Sequence, residues 1–144
     1  QFIKMKYLFT MFAALMLLSF TACSSDDDTT TDNASIVGKW KFEQDGAVVN
    51  GQEILVPYIH ECSTKSDYLE FMSSGIVKEV YYDSNCVEDV DSQDTWTQSG
   101  NNLTVITGGT PITVEIITLT ATALKLKFDE VDTDDTSVVV LSRM

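Results

Sequence analysis

A two-residue alternation of apolar and polar side chains constrains the fold of this chain more than any other feature, and it recurs from Ile36 onward. In residues 124–129 every second side chain is apolar and the residues between them are charged. No window in this part of the sequence has the 3.6-residue period of an amphipathic helix. Because such alternation is typical of β-strands with one buried face, the sequence predicts an all-β domain.

Short turn sequences join the alternating runs and predict consecutive hairpins. Ser73-Ser74-Gly75 separates two runs, and Ser99-Gly100-Asn101-Asn102 separates two more. Glycine and asparagine tolerate the positive φ angles that tight turns need. About nine strands are predicted, at residues 39–44, 54–58, 68–72, 76–82, 95–98, 103–107, 112–117, 124–129 and 137–143. Consecutive hairpins favour an up-and-down antiparallel sheet, and closing it into a barrel removes its exposed edges.

Residues 1–22 have the composition of an export signal. Lys6 provides the positive end, residues 7–20 are mostly apolar, and two small residues directly precede Cys23. As a helix, this apolar stretch would be roughly 21 Å long, against about 30 Å for the hydrocarbon core of a membrane. We therefore predict a cleaved signal peptide at residues 1–22 and no permanent transmembrane helix there.

The end of this segment, Leu18-Ser19-Phe20-Thr21-Ala22-Cys23, resembles a lipobox, although Phe20 is bulkier than the residue usually found there. The resemblance implies that Cys23 receives acyl chains such as palmitate and becomes the first residue of the mature protein. Each buried methylene contributes about 0.8 kcal/mol, so two or three chains form a firm anchor. A secretory signal followed by a chance cysteine is the alternative. We expect a lipoprotein that is tethered to the membrane through Cys23.

Residues 23–35 are acidic and contain few apolar side chains, which predicts a flexible tether. The cluster Asp26-Asp27-Asp28 also resembles the signal by which some Gram-negative lipoproteins reach the outer face of the outer membrane. A plain spacer is the alternative interpretation. The resemblance implies that the protein is lipid-anchored in the bacterial outer membrane and exposed at the cell surface.

Charge is distributed unevenly along the chain. All 22 acidic residues follow position 23, and loss of Lys4 and Lys6 with the signal peptide would leave seven basic residues and a net charge of −15. Such a charge repels nucleic acid and anionic lipid surfaces, so we expect no nucleic-acid partner. The remaining residues, 36–144, are enough for one domain with one core.

The predicted first strand opens with Gly38-Lys39-Trp40, and Gly-x-Trp at this place resembles the first-strand signature of lipocalins. A cysteine on each side of residues 68–82, then Trp96 and the sequence Gly-Asn-Asn-Leu-Thr-Val at 100–105, follow in order. This order resembles the lipocalin-like domain of small Gram-negative lipoproteins, over residues 36 to about 143.

The resemblance implies a single antiparallel up-and-down lipocalin-like β-barrel of about eight or nine strands. Trp40 would plug its closed end, and Arg143 near the chain end would stack on the indole. Gly38 would allow a neighbouring segment to approach the backbone. The family usually has glycine before the Trp-Thr strand, where this chain has Asp94.

Cys62 and Cys86 remain once Cys23 is assigned to lipid, and an even pair in an exported chain predicts a disulfide. The two residues flank the hairpin at 68–82, whose antiparallel course returns them to each other. A loop of about 25 residues implies a contribution of roughly 3.5 kcal/mol on the chain-entropy model. A metal site with His60 is the rival, but it would leave zinc without its fourth ligand.

No arrangement of residues predicts catalysis. His60 is the one histidine of the sequence, and its neighbour Glu61 would point to the opposite face of a strand. No serine lies in a recognisable nucleophile elbow. We therefore expect a protein that is not an enzyme and needs no cofactor, with His60 as a loop residue beside a disulfide.

Two acidic segments, residues 83–94 and 129–135, could in principle hold calcium through clustered oxygens. Neither has the glycine at position six and the acid at position twelve of an EF-hand loop. We interpret both as solvated turns, and no metal site is predicted.

Two functions remain open. In the first, the barrel interior accepts a small apolar or amphipathic molecule, and the aromatic residues expected to reach it are Phe71, Tyr82, Trp96 and Phe128. In the second, a solid barrel contacts another protein or a polysaccharide of the cell envelope. We expect a monomer in either case. The interior volume distinguishes the two, because an open cavity favours the first and a filled interior the second.

Overall fold

The computed structural model describes residues 34–130 and 135–144. The predicted signal peptide, the lipidated Cys23 and nearly all of the acidic tether lie outside these residues. Within them, no helix is long and apolar enough to cross a membrane. The described strands are β1 (Gly38–Val49), β2 (Gln52–Pro57), β3 (Tyr68–Phe71), β4 (Ile76–Tyr82), β5 (Glu88–Ser99), β6 (Asn102–Thr107), β7 (Thr110–Leu119), β8 (Ala123–Asp129) and β9 (Thr136–Arg143).

The strands form one antiparallel sheet that closes on itself. From β3 to β9 each strand pairs with the next, and β9 returns to pair with β1, from Trp40 opposite Arg143 to Ala47 opposite Ser137. Strand β1 and strands β3 to β9 therefore make an eight-stranded barrel. The predicted all-β, up-and-down, lipocalin-like barrel is confirmed.

Strand β2 is an addition to this barrel. Its residues pair with Gln44–Val49 of β1, whereas β3 pairs with Gly38–Lys41 on the same edge of β1. One long strand thus supplies both the barrel and an outer hairpin. The sequence predicted a weak strand at residues 54–58 but did not distinguish it from the barrel strands.

Strand β5 is much longer than predicted. The expected strand covered residues 95–98, and residues 83–94 were interpreted as an acidic turn, which is wrong for most of that segment. Only residues 83–87 lie between β4 and β5, because Glu88–Ser99 pairs with β4 and β6 through its backbone. Ladder hydrogen bonds require no particular side chain, so a polar sequence can occupy this position when its neighbours supply the pairing.

The two ends of the barrel differ, and we name them by their turns. The closed end carries residues 34–37 and the turns at 72–75, 100–101 and 120–122, and the open end carries the turns after β4 and β6 and the last residue of β8. A segment of residues 58–67, between β2 and β3, is joined to the open end by the disulfide from Cys62 to Cys86 in the turn after β4. The buried core consists of Ile36, Trp40, Phe42, Phe71, Val77, Leu103, Val114, Ile116, Leu124, Leu126 and Leu141.

Candidate functional site

Trp40 fills the centre of the closed end and is 0% exposed. Its indole Nε1–H donates to the carbonyl oxygen of Ile36 at 2.7 Å. The guanidinium carbon of Arg143 lies 4.0 Å from the ring centroid, which is the geometry of a cation–π contact. The structure therefore brings together the two residues that the sequence placed at this end.

The Arg143 guanidinium also donates hydrogen bonds to three carbonyl oxygens. Nε bonds Ala121 O at 2.8 Å, Nη1 bonds Val37 O at 3.0 Å and Nη2 bonds Ser35 O at 2.5 Å. These bonds join the turn before β8 to the residues that precede β1. One side chain thus holds both ends of the described chain against the core.

Gly38 makes room for this guanidinium. Its φ is +135°, and a Cβ built on it would lie 2.6 Å from Arg143 Nη1. A side chain here would strain the backbone and displace the arginine. The position of the Arg143 guanidinium therefore requires glycine at residue 38.

A cavity of about 200 Å³ lies inside the barrel beyond this packed end. Most of its lining is apolar and comes from Phe42, Leu69, Phe71, Val77, Leu103, Val105, Ile112, Val114, Leu126, Phe128 and Val139. A polar wall on β4, β5 and β6 consists of Glu79, Ser92, Asp94 and Thr107. The interior is therefore open and amphipathic, not solid.

The polar wall contains two carboxylates with hydroxyl partners. Thr107 Oγ1 donates to Asp94 Oδ2 at 3.0 Å, and the Tyr81 hydroxyl donates to Glu79 Oε1. Burial raises the pKa of the Glu79 carboxyl, and the nearby carboxylates of Asp91 and Asp94 raise it further, against the opposing effect of the Tyr81 hydrogen bond. The surroundings of Glu79 thus disfavour its charged form.

The 58–67 segment borders the cavity at the open end. The Tyr58 ring stacks on Phe42, a cavity residue, with centroids 4.9 Å apart. The Tyr58 hydroxyl donates to Asp67 Oδ2 at 2.9 Å, and the pKa of this hydroxyl is raised, first by burial and then by that hydrogen bond. Tyr58 therefore fixes the segment to the cavity wall.

Asp67 and His60 organise the segment internally. Asp67 is 3% exposed, and its Oδ1 accepts the backbone N–H of Tyr82 at 2.8 Å. The Asp67 N–H donates to His60 Nδ1 at 3.0 Å, so this nitrogen carries no proton and Nε2–H donates to Phe42 O at 3.1 Å. The 3.5 Å approach of Nδ1 to Asp67 Oδ2 is then not an ion pair. Both ring nitrogens serve the backbone, which makes His60 structural.

A disulfide between Cys62 and Cys86 joins the 58–67 segment to the β4–β5 turn, with a Cα–Cα distance of 5.0 Å. This distance is ordinary for a disulfide, and the predicted pairing is confirmed. Lys65 Nζ donates to Cys86 O at 3.1 Å beside it. The disulfide therefore fastens the middle of the segment, and Tyr58 and Asp67 fasten its two ends.

A family model for a lipocalin-like domain matches residues 36–126, which is more than half of the chain and extends from before β1 into β8. The chain belongs to the lipocalin-like domain family. A comparison with curated proteins found no match. Gly38 and Trp40 lie inside the matched range and Arg143 lies beyond it, so the structure extends the lipocalin-like barrel past the family match.

Two of the four predicted ligand residues line the cavity of this lipocalin-like barrel, namely Phe71 and Phe128. Trp96 does not line it. Its Nε1–H is shared between Met72 O at 3.2 Å and Ile76 O at 3.1 Å, and its ring meets Phe71 edge-on with centroids 5.4 Å apart. Trp96 therefore supports a cavity residue from the closed end.

The prediction that Tyr82 reaches the barrel interior is wrong. Because Val77 and Glu79 line the cavity, alternation along β4 directs Tyr81 to the same face and Tyr82 to the outside. The Tyr82 hydroxyl donates to Glu88 at 2.9 Å, and the Lys65 ammonium lies 4.8 Å from the Tyr82 ring centroid. Counting from Val77 would have found this orientation.

Sequence reasoning missed the residues that give the cavity its polarity. Glu79 could have been found from the alternation within β4. Asp94 could not, because it was placed in a turn and because 22 acidic residues make any single one uninformative. Within residues 34–130 and 135–144, no group of three His, Cys, Asp or Glu residues could hold a metal ion.

Proposed function

We propose that this lipocalin-like domain is a non-catalytic binding protein that holds a small apolar or amphipathic molecule in its barrel. The observation that carries the proposal is the cavity of about 200 Å³ with three phenylalanines in its wall. Barrels of eight strands are just wide enough to enclose one small ligand. A filled interior would have favoured the alternative of a solid interaction module.

The volume limits the size of the ligand. An engineered apolar cavity of about 150 Å³ binds benzene, whereas sites for drug-sized ligands occupy about 300–1,000 Å³. The cavity volume of about 200 Å³ lies between these values. A single ring or a short branched chain would fit, with any larger part of the ligand outside the open end.

We further propose that the protein is an outer-membrane lipoprotein anchored through Cys23 and exposed at the cell surface, where its barrel acts as a monomer. The lipobox-like residues before Cys23 and the acidic cluster after it support this assignment. Cys23→Ala should abolish membrane association in cell fractionation. Persistent tight membrane binding by this variant would contradict the anchor.

A cavity-filling substitution tests ligand binding. Val105 lines the cavity, and its neighbour Thr104 on β6 points outward by alternation. Val105→Phe should weaken binding of 2-phenylethanol in calorimetric titrations, whereas Thr104→Phe should leave it unchanged. Thermal melts would confirm that both variants fold. Equal binding by both would place the ligand outside the cavity.

One observation favours the interaction module as a second candidate. Strand β2 lies at the edge of the sheet, and its Ile54 and Val56 are 54% and 53% exposed. An exposed edge strand can pair with a strand of another protein. Val56→Pro should remove such pairing without reaching the cavity. Unchanged function in cells of this variant, with loss of function in Val105→Phe, would reject the second candidate.

A further inference from the structure

We propose that the ligand of this cavity is an amphipathic cation, whose ammonium group lies between Glu79 and Asp94 and whose hydrocarbon part contacts the phenylalanines. The inference rests on the proposed function, because it names the class of molecule that the cavity would bind. Three observations carry it: the apolar lining, the position of the two carboxylates within that lining, and the absence of a basic partner for them among the described residues.

The β4–β5 register sets the spacing of the two carboxylates. Val77 pairs with Asp94 and Glu79 pairs with Ser92, so Glu79 and Asp94 are diagonal neighbours on the inner face. Diagonal neighbours on adjacent strands lie about 7–8 Å apart, within reach of long side chains. An ammonium between them can donate to both at the usual 2.7–2.9 Å of a charge-assisted hydrogen bond.

Neither carboxylate has a cationic partner in the part of the chain that the structure describes. Glu79 accepts a hydrogen bond from the Tyr81 hydroxyl, and Asp94 accepts one from the Thr107 hydroxyl. These bonds stabilise the negative charges without neutralising them. Partly buried carboxylates without a counter-charge are costly. A cationic ligand would remove that cost, and an anionic ligand would increase it by repulsion.

The remaining lining fits an organic cation better than a metal ion. Calcium takes six to eight oxygen ligands and magnesium requires octahedral coordination. Most of the cavity wall is hydrocarbon, including Phe42, Phe71 and Phe128, and offers no such ligands. Because the ring faces of phenylalanine also attract cations, the apolar wall contributes to binding of an alkylammonium group and its hydrocarbon together.

Three probes with the same phenylethyl group and different charge test the proposal on the full chain: 2-phenylethylamine, 2-phenylethanol and 3-phenylpropionate. At about pH 8 the amine is protonated, as a lysine side chain is. Isothermal titration calorimetry at about 0.01 M salt should show the amine binding at least about tenfold more tightly than the alcohol, with the carboxylate weakest. Raising the salt to about 0.15 M should reduce the preference.

Charge-neutral substitutions locate the effect. Glu79→Gln and Asp94→Asn should each reduce the preference for the amine over the alcohol, and the double variant should abolish it while alcohol binding remains. Glu115→Gln is the matched control, because this residue lies on the exposed outer face of β7 and loses the same charge. It should keep the preference of the unmodified protein.

The possible failures are distinguishable. If none of the three probes binds, the proposed function fails together with this inference. If the alcohol binds as tightly as the amine in the unmodified protein, the binding function stands and the cationic ligand is wrong. If the preference survives in the double variant, the ammonium binds elsewhere and the assignment to Glu79 and Asp94 is overturned. The comparison of probes on the unmodified protein needs no variant to fold.

Discussion

The closed end and the cavity are both lined by inward-facing residues of the same strands, yet they differ in packing and in the pairing of their charged groups. At the closed end the indole N–H of Trp40 donates to Ile36 O, and the Arg143 guanidinium donates to three carbonyl oxygens. In the cavity, space remains and Glu79 and Asp94 have no counter-charge among the described residues.

The contrast separates stability from recognition. Natural proteins tend to break the rules of good packing at functional sites and compensate elsewhere in the fold. Here the stabilising core lies next to the cavity, because Phe71 belongs to the packed core and also lines the cavity. Substitutions at the closed end should therefore reduce stability, whereas substitutions in the polar wall should change binding with little loss of stability.

Replacing Trp40 should produce the largest effect. Trp40→Ala empties a fully buried position and should lower the free energy of unfolding by about 3–5 kcal/mol. Urea denaturation followed by circular dichroism would measure the loss. Trp96→Ala is the control, because Trp96 is only partly buried and its removal should lower the free energy of unfolding clearly less. Equal losses for the two tryptophans would show that the complete burial of Trp40 has no special weight in the stability of the closed end.

Removal of the disulfide should have the next largest effect. The double variant Cys62→Ser and Cys86→Ser should lower the free energy of unfolding by up to about 3.5 kcal/mol, because the unfolded chain is no longer constrained by the loop. Since the 58–67 segment contacts Phe42 through Tyr58, ligand binding should weaken as well. Denaturation and calorimetry on one preparation would test both. Unchanged binding would show that the segment does not shape the cavity.

Gly38→Ala should lower the free energy of unfolding by about 1–3 kcal/mol, because alanine is strained at this φ angle. Displacement of Arg143 should lower it further. Gly51→Ala is a matched control, because its φ of +77° is also positive but no atom lies within 4 Å of the added Cβ. The loss at Gly38 should exceed the loss at Gly51 in denaturant melts. In combination with Arg143→Ala the further loss from the clash should disappear, whereas the loss from the φ angle should remain. Strictly additive losses would refute the coupling.

Glu79→Gln should have the smallest effect on the free energy of unfolding, and it should raise this free energy where the preceding substitutions lower it. Burial raises the pKa of the folded-state carboxyl above the unfolded value, so the folded protein binds this proton more tightly. The contribution of Glu79 to stability is then present below the unfolded pKa and is lost as the pH rises through the folded pKa. Glu79→Gln should be more stable than the unmodified protein at pH 7, and this gain should vanish near pH 4. A constant difference across that range would contradict the role of burial.

Much of the fold could be predicted from the sequence because local signals agree with the barrel. The turn at Ser73-Ser74-Gly75 and the run from Ile76 to Tyr82 match the observed hairpin, and β4 has the predicted bounds. Gly38 and Trp40 marked the first strand correctly. These features depend on neighbours in sequence, which a single chain reveals.

The polar wall could not be predicted for the opposite reason. Glu88–Asp94 lacks apolar residues at most inward positions, so alternation gives no strand signal where the barrel interior is itself polar. Phe71 and Phe128 could be identified because they occupy apolar positions in strands whose side chains alternate between apolar and polar, and the apolar side faces the core. Tyr82 shows the limit of that argument, because its position in the alternation of β4, and not its aromatic type, decides that its side chain points outward.

The contact between β1 and β9 also has a kinetic consequence. Pairings between successive strands from β3 to β9 close short loops, whereas the bond from Arg143 to Ser35 joins residues 108 positions apart. Loop-closure entropy must be overcome before such a distant pairing becomes favourable, and non-local pairing slows folding. The barrel should therefore assemble as an open ribbon of hairpins that closes in its last step. Until then β1 and β9 are free edges, and this interval is when the chain is most exposed to aggregation.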